Sequence, residues 1–542
     1  MLLRLYPLLL GVNFSFTGDG ERNGVAVGLD NYLELLRDPL FRTALGNVGL
    51  LVLLLPVAVA IPGLLATFIY LRVPGHRLYR SVYFFPAVLS PVIVGAIFNL
   101  LLAFDGPVNA VLGSVGVGAV DWLGDPDVAM FVVVGVHVWA TFGMGLVVFL
   151  AGFATLDSAL LDAARVDGAS LPQVIWHVIV PGLSRTIQFV FVTTMIGMLT
   201  SMFGLLYVMT SGGPEGSTYL PEYYIWIQQG QMNRPALASA ASTVLFVIML
   251  VVGLLQIKLL KRAARRSDVP HPSGPVAGRH PDGAARAGDG LPLLFTANVA
   301  MKTRRDYILD RFSLTDALRW ENISTAWTSV GMGRYFVNSL LVVTVSVGLL
   351  LLFGSMAGFA LSQLRFRGST AIFLGCLAGL FVPFQVIMVP LARIMADTGL
   401  VDTYPGLVLV YVAQFLPFTV FLMTSYYRTI PPEIVDAARI DGNSVYGVYR
   451  RIMLPLGIPA LLSVGILNAL FCWNDVLMSL VMMPSAEHRT LMVGVTSLRG
   501  QYSDDIPTFA SGVLIAAIPV LVVYLFLQRQ IADGVAAGAT KG

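Results

Sequence analysis

Two stretches of this chain carry residue types at a spacing that could do specific work. Asp162-Ala163-Ala164-Arg165-Val166-Asp167-Gly168 is followed by Pro181, and Asp436-Ala437-Ala438-Arg439-Ile440-Asp441-Gly442 by Pro455, thirteen residues on in each case. The two copies stand 274 positions apart throughout, and nine of the twenty positions from Asp162 to Pro181 are identical to their partners. Asp162 and Asp436 are expected near the start of a short helix, where unpaired N–H groups and the macrodipole favour a carboxylate. Pro431-Pro432 ahead of Glu433 suits a first helical turn. The pairs Ala163-Ala164 and Ala437-Ala438 offer a small face that a partner's groove can approach. Asp167-Gly168 and Asp441-Gly442 then end the helix, the glycine supplying a left-handed cap. The expected shape is a helical knob held by a second helix that ends at Pro181 or Pro455. One copy alone reads equally well as a capped surface helix, but two at equivalent places read as a docking surface used twice.

Nothing comparable points to catalysis. Neither half shows paired carboxylates, a His/Cys cluster at metal spacing or a nucleophile–base set, and no GxxxxGK[ST] phosphate loop is present. Cys376 and Cys472 both fall in apolar runs, which supports neither a disulfide framework nor a thiolate metal site.

The elements that must position these loops are membrane helices. The chain has 542 residues, 56% hydrophobic and only 12% charged, with a mean hydropathy of +0.78, against about 25% charged in ordinary globular proteins. Several runs approach the ~20 apolar residues that a spanning helix needs. Continuous rather than alternating apolarity selects helices over a barrel. A net charge of +3 spread along the chain gives no footprint for nucleic acid. Spans are expected at 44–71, 82–104, 128–153, 183–210 and 236–260, then at 336–361, 370–394, 404–427, 456–482 and 507–528. Residues 1–16 read as a short first membrane helix rather than a signal peptide, since no A-x-A-like site follows.

Charge sets the expected orientation. Arg72, His76, Arg77 and Arg80 fill one short loop, and Lys258, Lys261, Arg262, Arg265 and Arg266 follow the fifth span. Positive charge stays cytoplasmic, and counting spans from either cluster puts the 154–181 loop on the same side. The Pro- and Gly-rich stretch 261–290 reads as a flexible linker, dividing the chain into a first half, 1–260, and a second, 291–542. Placing both knobs on one side requires a crossing at Leu291–Met301, whose eleven residues rise only about 16 Å against a core of about 30 Å.

A polar solute would need aromatic faces and hydrogen-bonding groups inside the bundle. The candidates lie on the helix after each knob: Phe203 and Tyr207, with Ser201 and Thr210, in the first half; Phe471, Trp473 and Asn474, with Asp475, in the second. Polar groups at that depth are expensive unless paired or functional.

With these motifs in hand, the chain resembles the transmembrane subunits of bacterial carbohydrate-importing ABC transporters of the maltose and glycerol-phosphate type, two usually separate subunits being joined end to end. The duplicated loops resemble that family's EAA motif, with Asp162 and Asp436 where glutamate is usual. Val27-Gly28-Leu29-Asp30-Asn31-Tyr32, Tyr83-Phe84-Phe85-Pro86 and Thr210-Ser211-Gly212-Gly213-Pro214 look like the maltose transporter's first subunit. Asn338-Ser339-Leu340, Leu364-Arg365-Phe366-Arg367-Gly368, Val389-Pro390-Leu391, Cys472-Trp473-Asn474-Asp475 and the tail from Gly538 look like its second. The resemblance implies an all-α membrane protein of two homologous repeats, five to six transmembrane helices each, in the type I importer permease fold. It implies a multi-pass protein of the bacterial inner membrane that is not an enzyme and holds no cofactor of its own. Its partners would be two ATP-binding cassette subunits received at the knobs, an extracytoplasmic solute-binding protein, and a sugar. The alternatives are a secondary transporter driven by an ion gradient, which also uses repeats, and a degenerate fusion that transports nothing.

Overall fold

The computed structural model describes residues 2–71, 86, 89–153, 156, 158–264, 291–315, 318–364, 366–380, 382–501 and 505–539. Arg72, His76, Arg77, Arg80, Tyr83-Phe84-Phe85, Arg265, Arg266, Arg365 and the linker from 265 to 290 lie outside them, as do the last three residues of the tail. Among the described residues the chain is helical, with no β-structure beyond the isolated bridges Thr17–Ala26 and Gly18–Asn23. Seven helices are long and apolar enough to cross a bilayer: Pro39–Tyr70, Pro126–Phe153, Pro235–Leu255, Met332–Gln363, Tyr404–Tyr427, Val445–Asn474 and Ile506–Val523. Two bent pairs bring the number to nine: Leu171–Gly182 with Ser184–Thr200, at 77°, and Ser369–Leu380 with Phe384–Asp397, at 101°.

Four expected spans therefore differ from what is observed, the 456–482 run breaking at Asp475–Val476 between helices that end at Asn474 and begin at Leu477. The 82–104 run contributes a helix of eleven residues, Pro91–Leu101. The 370–394 run is divided into Ser369–Leu380 and Phe384–Asp397. The 183–210 run breaks at Ser201–Met202 and resumes as the short helix Phe203–Met209. Leu291–Ala300 is a helix of ten residues, rising about 15 Å. A short helix, Asp30–Arg37, leads directly into Pro39–Tyr70.

Packing gathers the chain into two compact units, each drawn from separated stretches of sequence: 1–42 with 221–246 and 320–516, and 43–220 with 247–319 and 517–542. In the first unit the 332–363 helix lies against the 404–427 helix through Gly354 and Gly358. A Cβ at Gly354 would stand 2.3 Å from Thr419 Cγ2, and one at Gly358 2.7 Å from Met423 Cβ. This G-x-x-x-G spacing lets two backbones approach where lipid offers no hydrophobic drive. The N-terminal helix Leu2–Phe14 packs along the 384–397 helix, Gly11 against Pro390. Asn338 Nδ2 donates to the carbonyls of Glu487 (2.9 Å) and Arg489 (3.0 Å), clasping the loop before Leu491–Gln501.

The second unit repeats that device: Asn47 Nδ2 donates to the carbonyls of Ser217 (2.7 Å) and Tyr219 (2.9 Å). Its close approach is between Pro39–Tyr70 and Pro126–Phe153, where a Cβ at Gly145 would meet Pro62 Cγ at 3.1 Å. The 291–300 helix packs on Pro91–Leu101 in the same unit.

Candidate functional site

The two knobs have the same backbone, one in each unit. The first helix of each runs Ser158–Val166 and Pro432–Ile440, the next Leu171–Val174 and Val445–Val448, followed by a π-turn at Ile175–Ile179 and Tyr449–Met453. Every boundary is offset by 274. Gly168 (φ +71°) and Gly442 (φ +82°) turn the chain in the left-handed region. The N–H of the following residue reaches back five positions, Ala169 to the Ala164 carbonyl (3.0 Å) and Asn443 to that of Ala438 (3.1 Å), as a Schellman cap requires. Ser170 and Ser444 start the next helix. Gln173 Oε1 accepts from the Ser170 N–H at 2.7 Å, and Ser444 Oγ from the Gly447 N–H at 3.1 Å.

Three local expectations change. Asp162 and Asp436 are the fifth of nine helical residues, one turn in, so the macrodipole acts in the second copy on Glu433 instead. The alanines do not form one outward face: Ala163 and Ala437 are exposed, while Ala438 is buried. A helix of this length turns adjacent positions about 100° apart, so one alanine of a pair faces the bundle. Pro181 and Pro455 do not end their helices. In each copy the π-turn closes just before the proline, Val180 N–H to the Ile175 carbonyl and Leu454 N–H to that of Tyr449. The wide turn makes room for a ring with no N–H to donate. After Pro455 the helix runs unbroken to Asn474. After Pro181 come Gly182 and a break at Leu183.

The inner face of the second knob is fixed to the bundle. Val435, Ala438, Val448, Tyr449 and Met453 share a buried cluster with Phe359, Met423 and Tyr427. Ser355 Oγ and Tyr449 OH lie 2.6 Å apart, and Gln363 Nε2 donates to the Tyr427 carbonyl at 2.7 Å. In the first knob Leu161, Val174 and Ile179 are buried.

The outer face carries residues that sequence reasoning passed over. Val166 is 88% exposed and Ile440 86% exposed, Leu160 and Ile434 are exposed beside them, and so are Leu171 and Val445. Each pair is separated by 274. The signal was present: both copies hold an aliphatic residue at the same three places of an otherwise polar segment. Asp162, Asp167, Gly168, Asp436, Asp441 and Gly442 are exposed on the same elements. Beside the second knob, Gly442, Asn443, Ser444, Tyr446, Gly447, Arg450 and Arg451 line a polar hollow.

The pathway candidates fall around matching breaks in the two units. In the second unit Phe203, buried, opens the short helix after Ser201–Met202, its ring stacked on that of Tyr207 at 5.6 Å. In the first unit the break falls 274 residues later at Asp475–Val476, after Asn474 closes its helix. Phe471 is 43% exposed and stacks on Phe415 at 5.6 Å. Trp473 is buried edge-on to Phe336, and its Nε1–H has no acceptor among the described residues. Asp475 is engaged structurally. It accepts from Ser479 N (2.9 Å), Ser479 Oγ (3.0 Å) and Tyr411 OH (3.0 Å), capping Leu477–Met482. Thr210 bonds Thr218 at 2.8 Å and is likewise accounted for.

The model of the binding-protein-dependent transport system inner membrane component family matches this chain twice, over residues 44–266 and 351–535. The diacetylchitobiose uptake system permease protein NgcG of Streptomyces coelicolor is 34% identical over 253 residues, 46% of this chain and 84% of that protein. The melibiose/raffinose/stachyose import permease protein MelC of Bacillus subtilis is 30% identical over 253 residues, 46% of this chain and 91% of its own length. Among solved structures, a bacterial ABC transporter involved in import of the acidic polysaccharide alginate matches with a TM-score of 0.43 and 24% identity, over 49% of this chain and 92% of its own. With most of its length matched by that model and its apolar helices arranged in two repeats, the chain belongs to the family of binding-protein-dependent transport system inner membrane components and is a multi-pass protein of the inner membrane.

Proposed function

We propose that this chain is the translocation pathway of an ATP-driven, binding-protein-dependent sugar importer, both permease halves being carried on one polypeptide. The carrying observation is the pair of knobs with matching helix boundaries, each presenting a nearly bare aliphatic residue, Val166 or Ile440, beside an Asp-Gly cap. Exposed aliphatic residues on an ordered helix end suit a socket in a partner protein. Two such ends suit two copies of one partner, here a pair of ATP-binding subunits on the cytoplasmic side. The knobs are rigid where they meet the bundle, so movement of the sockets would pass into the helices that continue past Pro181 and Pro455. Sugar specificity is supported by the relatives, whose names describe uptake of di- and oligosaccharides. A solute-binding protein would deliver the sugar from outside. The chain is a transport component, not an enzyme.

The test is uptake of labelled sugar into vesicles from cells that express the full chain with its ATP-binding subunits and solute-binding protein, with ATP supplied inside and the membrane potential collapsed. Uptake should persist, and Gly168→Val with Gly442→Val should abolish it while the protein still inserts. Uptake that follows the potential instead of ATP would replace this reading with an ion-driven carrier.

A further inference from the structure

Arg4 is a cation in an apolar setting with most of its hydrogen-bonding capacity unused. It lies on Leu2–Phe14, which runs parallel to the 384–397 helix: Gly11 sits against Pro390, and Arg393 stands over the Phe14 ring at 4.9 Å. Arg4 is ten residues from Phe14, about 15 Å along the helix. Its side chain is 2% exposed. One nitrogen, Nη2, donates to the Val382 carbonyl at 2.6 Å, while Nε and Nη1 have no acceptor among the described residues.

The Val382 bond accounts for one donor of five. Val382 and Pro383 stand outside the helices that end at Leu380 and begin at Phe384, and irregular backbone within a membrane is tolerated where protein or a cavity surrounds it. A neutral donor would satisfy a single carbonyl, whereas a guanidinium buried among apolar groups is costly unless an anion meets it. The arginine stem lies by Gly379 and Pro417: a Cβ at Gly379 would be 3.6 Å from Pro417 Cγ and 4.0 Å from Arg4 Cδ. Gln414, one turn before Pro417 and so on the same side of the 404–427 helix, has a buried Oε1 with no donor among the described residues. Broken helices whose polar groups await a partner mark midplane substrate sites in transporters.

We infer that Arg4 and Gln414 form a subsite for a saccharide bearing an oxyanion, the guanidinium taking the carboxylate or phosphate and the amide oxygen accepting from a hydroxyl. Planar, forked donors favour such anions over neutral sugars. The inference rests on the sugar-pathway reading and narrows the substrate class within it.

The experiment is direct binding to the purified full chain in phosphatidylcholine nanodiscs, with no ATP-binding subunit, so its outcome is separable from that of the uptake assay. The probes are trigalacturonate, glucose 6-phosphate and neutral maltotriose. At least one anionic probe should bind about tenfold or more tighter than maltotriose, and which one does so identifies the anion. Arg4→Gln should bring that preference to about twofold or less, with Arg4→Lys keeping part of it. Equal affinity for charged and neutral probes, no binding of either anion, or a preference undiminished in Arg4→Gln would each overturn the inference. Should Arg4→Gln not fold, the wild-type preference, together with a comparable loss of affinity for all three probes in Gln414→Leu, decides the matter; a Gln414→Leu chain that binds every probe as wild type does would overturn the inference.

Discussion

Val166 and Ile440 are the residues on which the docking argument is most exposed to test. Burying an aliphatic side chain fully contributes roughly 1.5–3 kcal/mol, so Val166→Ser or Ile440→Ser should weaken association with an ATP-binding subunit by about 10- to 100-fold each. Both positions are nearly bare, so thermal stability of the chain itself should hardly change. Co-purification and melting of the same variants check the two halves of that statement. A second residue-scale case lies in the loops joining helices. Asp402, in the left-handed region at φ +61°, accepts from Ser485 Oγ (2.9 Å) and faces His488 Nδ1 (3.1 Å). Burial alone would raise its carboxyl, but the hydrogen bonds from Ser485 and His488 outweigh that and hold it below the ordinary carboxylate range. A depressed folded-state value contributes stability above the unfolded value and loses it as pH falls through the folded one. The tie should therefore be intact at neutral pH and weaken below about pH 4. Melting against pH should show a steeper acid loss for wild type than for Asp402→Asn.

At the scale of elements, the contact between the 332–363 and 404–427 helices is where sequence choice is tightest. A methyl at Gly358 would meet Met423 Cβ at 2.7 Å and the Met423 and Thr424 backbone at 3.0 Å, so no side-chain rotation relieves it. Overpacking of this kind costs typically about 1–3 kcal/mol, and Gly358→Ala should lower the melting midpoint in detergent by several degrees. An unchanged midpoint would show that the helices can part without cost. The helices after the knobs show how context alters an element. Pro181 and Pro455 follow identical π-turns, yet only the first is succeeded by a glycine and a 77° bend. The proline was visible from sequence. Its effect was not, because a wide turn upstream had already removed the bond it would have broken.

For the molecule as a whole, each compact unit draws on residues from both sides of the 265–290 stretch. In the first unit Arg4 reaches the Val382 carbonyl, and Gln385 Nε2 donates to Glu222 at 3.1 Å. Neither 1–264 nor 291–542 expressed alone therefore holds all of one unit. Each alone should be protease-sensitive in the membrane, and co-expression should restore resistance. Two fragments that are each resistant alone would contradict it.

Much of this was legible in the residues themselves. Apolar runs near the length of a bilayer announce helices because unsatisfied backbone is too costly in lipid. The doubled Asp-Ala-Ala loops announce a repeated helical turn, and Gly168 and Gly442 announce their caps because only glycine enters that conformation freely. These are local properties, carried by a few adjacent side chains. Where the 370–394 run breaks, which alanine of each pair turns inward, which aliphatic residues stand bare, and where Arg4 comes to rest were decided by tertiary structure. Each depends on a neighbour hundreds of positions away or on the opposing helix face, and no periodicity in a single segment encodes what will pack against it.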